Sequence, residues 1–217
     1  MFDQIISVFF PERCAGCRRS GTALCSSCYK TIPAAAAIIE PANCVALFNY
    51  EHPLVQQAVW ELKYHRKSAL AKSLAVRGAP IVMEHIDSLL QSAVPVPLIV
   101  VPIPQHRSKT NSRGFNQSKV IAEWMKAALP TATLQLLLTK TRATDPQAHT
   151  HTRKERQQNL RHSMKAVGMI DRRALYIIID DVITTGSTVT EAGRALRAAG
   201  ARNICAVALA HGYARKW

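Results

Sequence analysis

An apolar run, Ala174 to Ile179, ends in two adjacent carboxylates, Asp180 and Asp181, and passes through Val182 and Ile183 into Thr184-Thr185-Gly186-Ser187-Thr188. The next residues place Val189, Ala192, Leu196 and Ala199 on one helical face, with a stop at Gly200 and a further apolar run from Ile204 to Leu209. A buried strand, a small hydroxyl-rich turn, a helix and a second buried strand predict a unit of a mainly parallel α/β sheet. This constrains the chain more than any other stretch, because few folds accept two acids between a buried strand and a helix.

In open parallel sheets the crevice at the carboxyl ends of the strands is where ligands bind. The turn from Thr184 to Thr188 offers consecutive backbone N–H groups, hydroxyls, a glycine for a sharp bend and the positive end of the following helix, a set that suits a phosphate dianion. Two acids beside such a cradle would repel a bare phosphate. They make sense if they hold ribose hydroxyls, or a Mg2+ ion that neutralises the ligand. The competing structural reading is a capping box between Thr188 and Glu191 with the acids in a solvated turn, which leaves both carboxylates unexplained.

The rest of the chain supports an α/β fold. Leu54, Val55, Ala58, Val59 and Leu62 recur at helical spacing, and that helix is expected to end in the basic run Lys63-Tyr64-His65-Arg66-Lys67. Leu98 to Val101 reads as a buried strand, Ile121 to Ala128 as a helix, and Leu134 to Leu138 as another strand. Two polar basic stretches stand out, from Gln105 to Gln117 and from Arg142 to Arg161, the second too long for an ordinary connector.

The sequence Cys14-Ala-Gly-Cys17 followed by Cys25-Ser-Ser-Cys28 provides four soft thiolates at the spacing of a tetrahedral structural Zn2+ site. With Cys44 and Cys205 left over, metal ligation in a reducing compartment fits better than a disulfide framework. Residues 1–40 are accordingly expected to form a zinc-binding knuckle and linker, and residues 41–217 the α/β domain. The apolar opening from Ile5 to Phe10 lacks a basic flank and a cleavage site, and no apolar run approaches the ~20 residues of a membrane span. A cytoplasmic protein is the expectation. The formal charge of +14 favours phosphorylated ligands or polyanions without naming one.

The strand, Asp180-Asp181 and Thr184-to-Thr188 composite resembles the signature of type I phosphoribosyltransferases. Leu62-Lys63-Tyr64, Val101-Pro102-Ile103-Pro104, Arg113-Gly114-Phe115-Asn116-Gln117 and the stretch from Arg142 to Asn159 narrow the resemblance to the ComF family of competence-associated, phosphoribosyltransferase-like proteins. The match covers nearly the whole chain; His149 and Met164 depart from it.

The resemblance implies a type I phosphoribosyltransferase fold that binds phosphoribosyl pyrophosphate with Mg2+. Asp180 and Asp181 would hold the ribose hydroxyls, and Thr184, Thr185, Gly186, Ser187 and Thr188 the 5-phosphate. Arg107, Lys109, Arg113 and Lys63 would grip the pyrophosphate, while Arg142, Gln147, Arg156 and Asn159 would belong to a hood over the site. It also implies a role in natural competence or DNA uptake, with single-stranded DNA and DNA-uptake proteins as partners. Two functions stay open: a phosphoribosyltransferase of unidentified acceptor, and a non-catalytic single-stranded DNA-binding protein that keeps the phosphoribosyl site as a regulatory pocket. The second draws on the charge and on aromatics such as Tyr64 and Phe115 set among basic residues.

Overall fold

In the computed structural model the described residues are 12–33, 38–39, 43–64, 68–90, 95–105, 114–141, 160 and 162–212. They contain five helices, α1 (Ser26–Lys30), α2 (Pro53–Tyr64), α3 (Ala69–Leu90), α4 (Gln117–Ala128) and α5 (Ser187–Ala198). The strands are β1 (Ile38–Ile39), β2 (Cys44–Asn49), β3 (Leu98–Pro102), β4 (Ala132–Leu134), β5 (Leu138–Lys140), β6 (Met164–Ala166), β7 (Leu175–Ile183) and β8 (Asn203–His211).

Six strands form one sheet in the order β1-β2-β8-β7-β3-β4. Only the β1–β2 pair is antiparallel, so the mainly parallel α/β architecture is the one expected. Successive residues of β7 alternate between two cores, as side chains on a pleated strand must. Leu175, Ile177 and Ile179 join the core built with α2, α3 and α4, and Tyr176 and Ile178 join the core built with α5. Burial on both faces explains why this strand is a continuous apolar run rather than an alternating one.

Two sequence expectations change, and one helix is added. The run from Leu134 to Leu138 is not one strand: β4 pairs with β3 in the main sheet, and β5 pairs antiparallel with β6 in a separate ribbon. The apolar stretch joins two layers, a choice that hydrophobicity alone does not encode. β7 runs through the acids to Ile183 instead of stopping at Ile179. The long helix α3, for which periodicity gave no expectation, buries Leu70, Leu74, Val82 and Ile86 although it contains Gly78 and Pro80. Gly78 is required by close packing: a Cβ there would lie 2.5 Å from Leu47 Cδ1 of β2.

The cysteine-rich segment docks on this body. Leu24, Cys25 and Ile32 join the core of α2 to α4. Tyr29 Oη donates to the Arg77 carbonyl at 3.2 Å, Arg77 returns a bond to the Leu24 carbonyl at 3.0 Å, and its guanidinium sits 5.0 Å over the Tyr29 ring. No helix among the described residues is long and apolar enough to cross a membrane.

Candidate functional site

β3 and β7 are neighbours, yet their connections leave in opposite directions. From β3 the chain goes through α4 to β4 at one side of the sheet, and from β7 it goes through α5 to β8 at the other. That is a topological switch point, and the loops leaving the two carboxyl ends must part and open a crevice. Asp180 and Asp181 lie at the end of β7, and the turn 184–186 leads straight into α5.

Asp180 is buried and Asp181 half-buried. Asp180 Oδ1 accepts from the Asp181 backbone N–H at 2.9 Å and from Ser118 Oγ at 3.2 Å. Burial first, and the neighbouring Asp181 charge second, push the Asp180 carboxyl well above the ordinary carboxylate range. Asp181 Oδ1 accepts from the Val182 N–H at 2.8 Å. Ser118 stands in the first turn of α4, on the far side of the switch point, so one hydrogen bond spans the crevice.

Gly186 is the N-cap of α5 at φ 72°, a left-handed conformation that favours glycine. Thr185 Oγ1 and Ser187 Oγ are 2.8 Å apart, and Thr190 Oγ1 donates to the Gly186 carbonyl at 2.8 Å. No side chain caps the helix. The capping box of Thr188 and Glu191 therefore does not form. Glu191 Oε1 instead accepts from the Met164 N–H at 3.1 Å, and both carboxylate oxygens take bonds from Arg194 at 2.8 Å. Arg194 also donates to the Met164 carbonyl at 3.0 Å, fastening β6 to α5.

Of the remaining expected residues, Lys63 is half-buried in the last turn of α2. Arg107, Lys109, Arg113, Arg142, Gln147, Arg156 and Asn159, with His149 and His151, lie outside the described residues. Phe115 is 8% exposed and belongs to the core, so it is not a surface aromatic as the DNA-binding alternative supposed.

Sequence reasoning missed Ser118 and the polar groups around it. Asn116 caps α4 by accepting from the Lys119 N–H, and its Nδ2 donates to the Ile103 carbonyl at 2.9 Å, pinning the exit from β3. Gln117 is fully buried with neither amide atom hydrogen-bonded, and Gln105 Oε1 is likewise buried and unpartnered. The usable signal was the N-cap: Asn116 before an apolar-periodic run puts Gln117 and Ser118 in the first turn of a helix that follows a ligand-edge strand.

The Sγ atoms of Cys14, Cys17, Cys25 and Cys28 all lie within 4.8 Å of one another. The Cys25 N–H points at Cys14 Sγ at 3.3 Å, and the Cys28 N–H at Cys25 Sγ at 3.5 Å. The backbone N–H of Cys25, with those of Cys17 and Gly16, lowers the Cys14 thiol to about 6, while the Cys25 side chain and burial push Cys28 up to about 12. Four convergent sulfurs with amide donors turned on two of them are the donor set a Zn2+ ion satisfies. Cys44 and Cys205 are buried in the sheet away from this cluster.

No protein-family model matches the chain. DNA utilization protein YhgH of Salmonella typhi is 29% identical over 203 residues, covering 88% of this chain and 85% of that protein. The protein of the same name in Escherichia coli strain K12 is 27% identical over 199 residues, with the same coverage. Competence protein F of Haemophilus influenzae is 30% identical over 118 residues, 50% of this chain and 48% of its own length. The chain is a homologue of these DNA utilization and competence proteins.

Among solved structures, glutamine phosphoribosylpyrophosphate amidotransferase from B. subtilis, complexed with ADP and GMP, is 19% identical with a TM-score of 0.41. The match covers 70% of this homologue and 30% of that chain, and no activity follows from a likeness at that level.

Proposed function

We propose that this protein binds phosphoribosyl pyrophosphate with Mg2+ at the β3–β7 switch point and acts as a phosphoribosyltransferase-like protein of DNA uptake or utilisation. The observation that carries the proposal is the pairing of Asp180 and Asp181 with the left-handed Gly186 turn, at the carboxyl ends of two neighbouring strands whose connections diverge. The names of the homologues support the DNA side of the reading.

The backbone amides and hydroxyls of residues Thr184 to Thr188 hold the 5-phosphate against the α5 N-terminus. Asp180 and Asp181 take the ribose hydroxyls, with Ser118 fixing the rotamer of Asp180. Arg107, Lys109, Arg113 and Lys63 grip the pyrophosphate. Arg142, Gln147, Arg156 and Asn159 belong to a hood that excludes water from the anomeric carbon. Mg2+, when bound with the ligand, neutralises the pyrophosphate. In turnover the bond from the anomeric carbon to the pyrophosphate oxygen breaks, the acceptor's nucleophile bonds to that carbon, the acceptor's proton passes to solvent, and pyrophosphate leaves.

Calorimetry with phosphoribosyl pyrophosphate tests the site. Binding is expected only with Mg2+ and is lost in the double variant Asp180→Asn, Asp181→Asn, which stays folded. Unchanged affinity in that variant would refute the assignment. A screen for pyrophosphate release across nucleobases, amines and single-stranded DNA separates an enzyme from a binding protein: release with one acceptor marks a transferase, and Mg2+-dependent binding without release marks a regulatory pocket.

A further inference from the structure

Helix α3 carries two apolar stripes. One is turned inward and buries Leu70, Leu74, Val82 and Ile86. The other faces solvent: Val76 is 44% exposed and Met83 39% exposed, two turns apart on one side of the helix, with Ala79 and exposed Pro80 between them. The same side continues to exposed Ala69 and Lys72 at the amino end, and to exposed Asp87 and half-buried Leu90 at the carboxyl end. Val76, Pro80, Met83 and Asp87 line a groove of about 680 Å³, with Ala128 at the end of α4 on its flank.

This stripe complements itself when laid antiparallel on a copy. A two-fold axis through the Ala79–Pro80 step sets Lys72 against Asp87, Val76 against Met83 and Ala69 against Leu90 of the second helix, and repeats each pair on the other side of the axis. Lys72 and Asp87 lie about 22 Å apart along the helix at roughly 1.5 Å per residue, beyond each other's reach within one chain. Neither has an ion pair among the described residues. Each is therefore an unpaired charge near one end of an apolar seam, opposite in sign to its counterpart. The middle of the seam carries little bulk, Ala79 and Pro80, where two crossing helices come closest. A chain of net charge +14 repels its own copies, so self-association needs opposite charges paired locally, and Glu84 adds a second acid to the groove.

We infer that the solvent-facing stripe of α3 is a two-fold contact between two copies of this chain, packed antiparallel along α3. A two-fold interface requires one patch that matches itself, and this seam does so in apolar and charged pairs alike. A helix of 22 residues is about 33 Å long, and with a width near 10 Å its face covers roughly half of the ~800 Å² per partner of a standard interface. The expected dimer is accordingly weak, in the micromolar range. The inference goes beyond the proposed function and does not depend on phosphoribosyl pyrophosphate binding.

Sedimentation equilibrium of the full-length, zinc-loaded protein over a concentration series tests the contact. A monomer–dimer equilibrium is expected. Lys72→Glu and Asp87→Lys should each weaken it about tenfold, because like charges then meet twice across the two-fold axis. The combined variant Lys72→Glu, Asp87→Lys restores dimerisation, since each introduced charge faces the other on the partner copy. Mixing the two single variants should give a mixed dimer tighter than either variant forms alone. High salt is expected to shrink the differences among these proteins. Circular dichroism and thermal melts check that the variants fold, which changes at two exposed positions should not prevent.

A parent protein that stays monomeric up to about 0.1 mM, where a micromolar contact would be largely formed, would overturn the inference. So would a dimer whose affinity neither single variant changes, which would place the interface elsewhere. Single variants that weaken the dimer, with no recovery in the combined variant or in the mixture, would refute the antiparallel pairing of position 72 with position 87.

Discussion

Ser118 Oγ donates to Asp180 Oδ1 at 3.2 Å, joining the first turn of α4 to the end of β7 across residues 62 apart in sequence. The bond reaches a carboxyl that burial and Asp181 together keep inclined to hold its proton. The molecule thus maintains an acid in a place that opposes its ionisation, and the cost falls on stability.

Asp180→Asn should therefore stabilise the ligand-free protein at neutral pH. The folded-state pKa of Asp180 lies above its unfolded value of about 4. In the window between the two the folded state binds more protons, so this group's contribution declines as pH rises and levels off above the folded pKa. The variant is expected to melt higher than the parent at pH 7, with the gap closing towards pH 4. Thermal melts across that range check it, and a variant that melts lower at pH 7 contradicts the picture.

Glu191 carries the opposite sign. Burial raises its pKa, but the bonds from Arg194 and the Met164 N–H outweigh burial and leave it below the usual value. Its contribution is fully present above the unfolded pKa of about 4.3 and is lost as pH falls through the folded value. Arg194→Ala leaves a 4%-exposed carboxylate without its counter-charge. Because Arg194 is itself 37% exposed, the loss should be about 2 kcal/mol, less than for a fully buried pair. That corresponds to roughly 4–8 °C in Tm at neutral pH, shrinking in acid; no change in Tm would show that β6 does not depend on this clasp.

Chelation should loosen the knuckle and the core beneath it together, because Cys14 and Cys25 are counted among the residues packed against α2 and α3. Purified protein is expected to carry about one Zn2+ per chain, and Cys17→Ser, at an exposed position, should abolish that stoichiometry and lower Tm. Metal analysis that finds no stoichiometric zinc in the parent removes the four-thiolate site.

Gly186→Ala tests whether the turn needs its left-handed residue. An alanine at φ 72° costs about 1 kcal/mol or slightly more, so the fold should survive with a small drop in Tm. Phosphoribosyl pyrophosphate affinity should fall by far more than that, because the strained turn relaxes and misdirects its amides. Equal small losses in stability and affinity would mean that the turn is structural only.

Gly78→Ala is expected to destabilise by about 1–3 kcal/mol through overpacking, since the new methyl would meet Leu47 at 2.5 Å. Leu47→Ala removes the clash but opens a cavity of its own, so the double variant should lose less than the sum of the two separate losses, which a double-mutant cycle of denaturation midpoints would measure.

The amino-acid sequence by itself determined the local units: an apolar strand into two acids, a glycine turn and a helix, and the four-cysteine spacing. These signals depend on residues within one or two turns of each other, where periodicity and turn chemistry act directly. Only the tertiary structure decided that the run from Leu134 to Leu138 divides between two sheets, that Ser118 meets Asp180, that Glu191 turns from its helix N-terminus to Met164 and Arg194, and that Phe115 is inside while Trp60 and Tyr64 face solvent. Each of those depends on strand order and on which layer covers which face, contacts between residues distant in sequence that a reading of neighbours cannot supply.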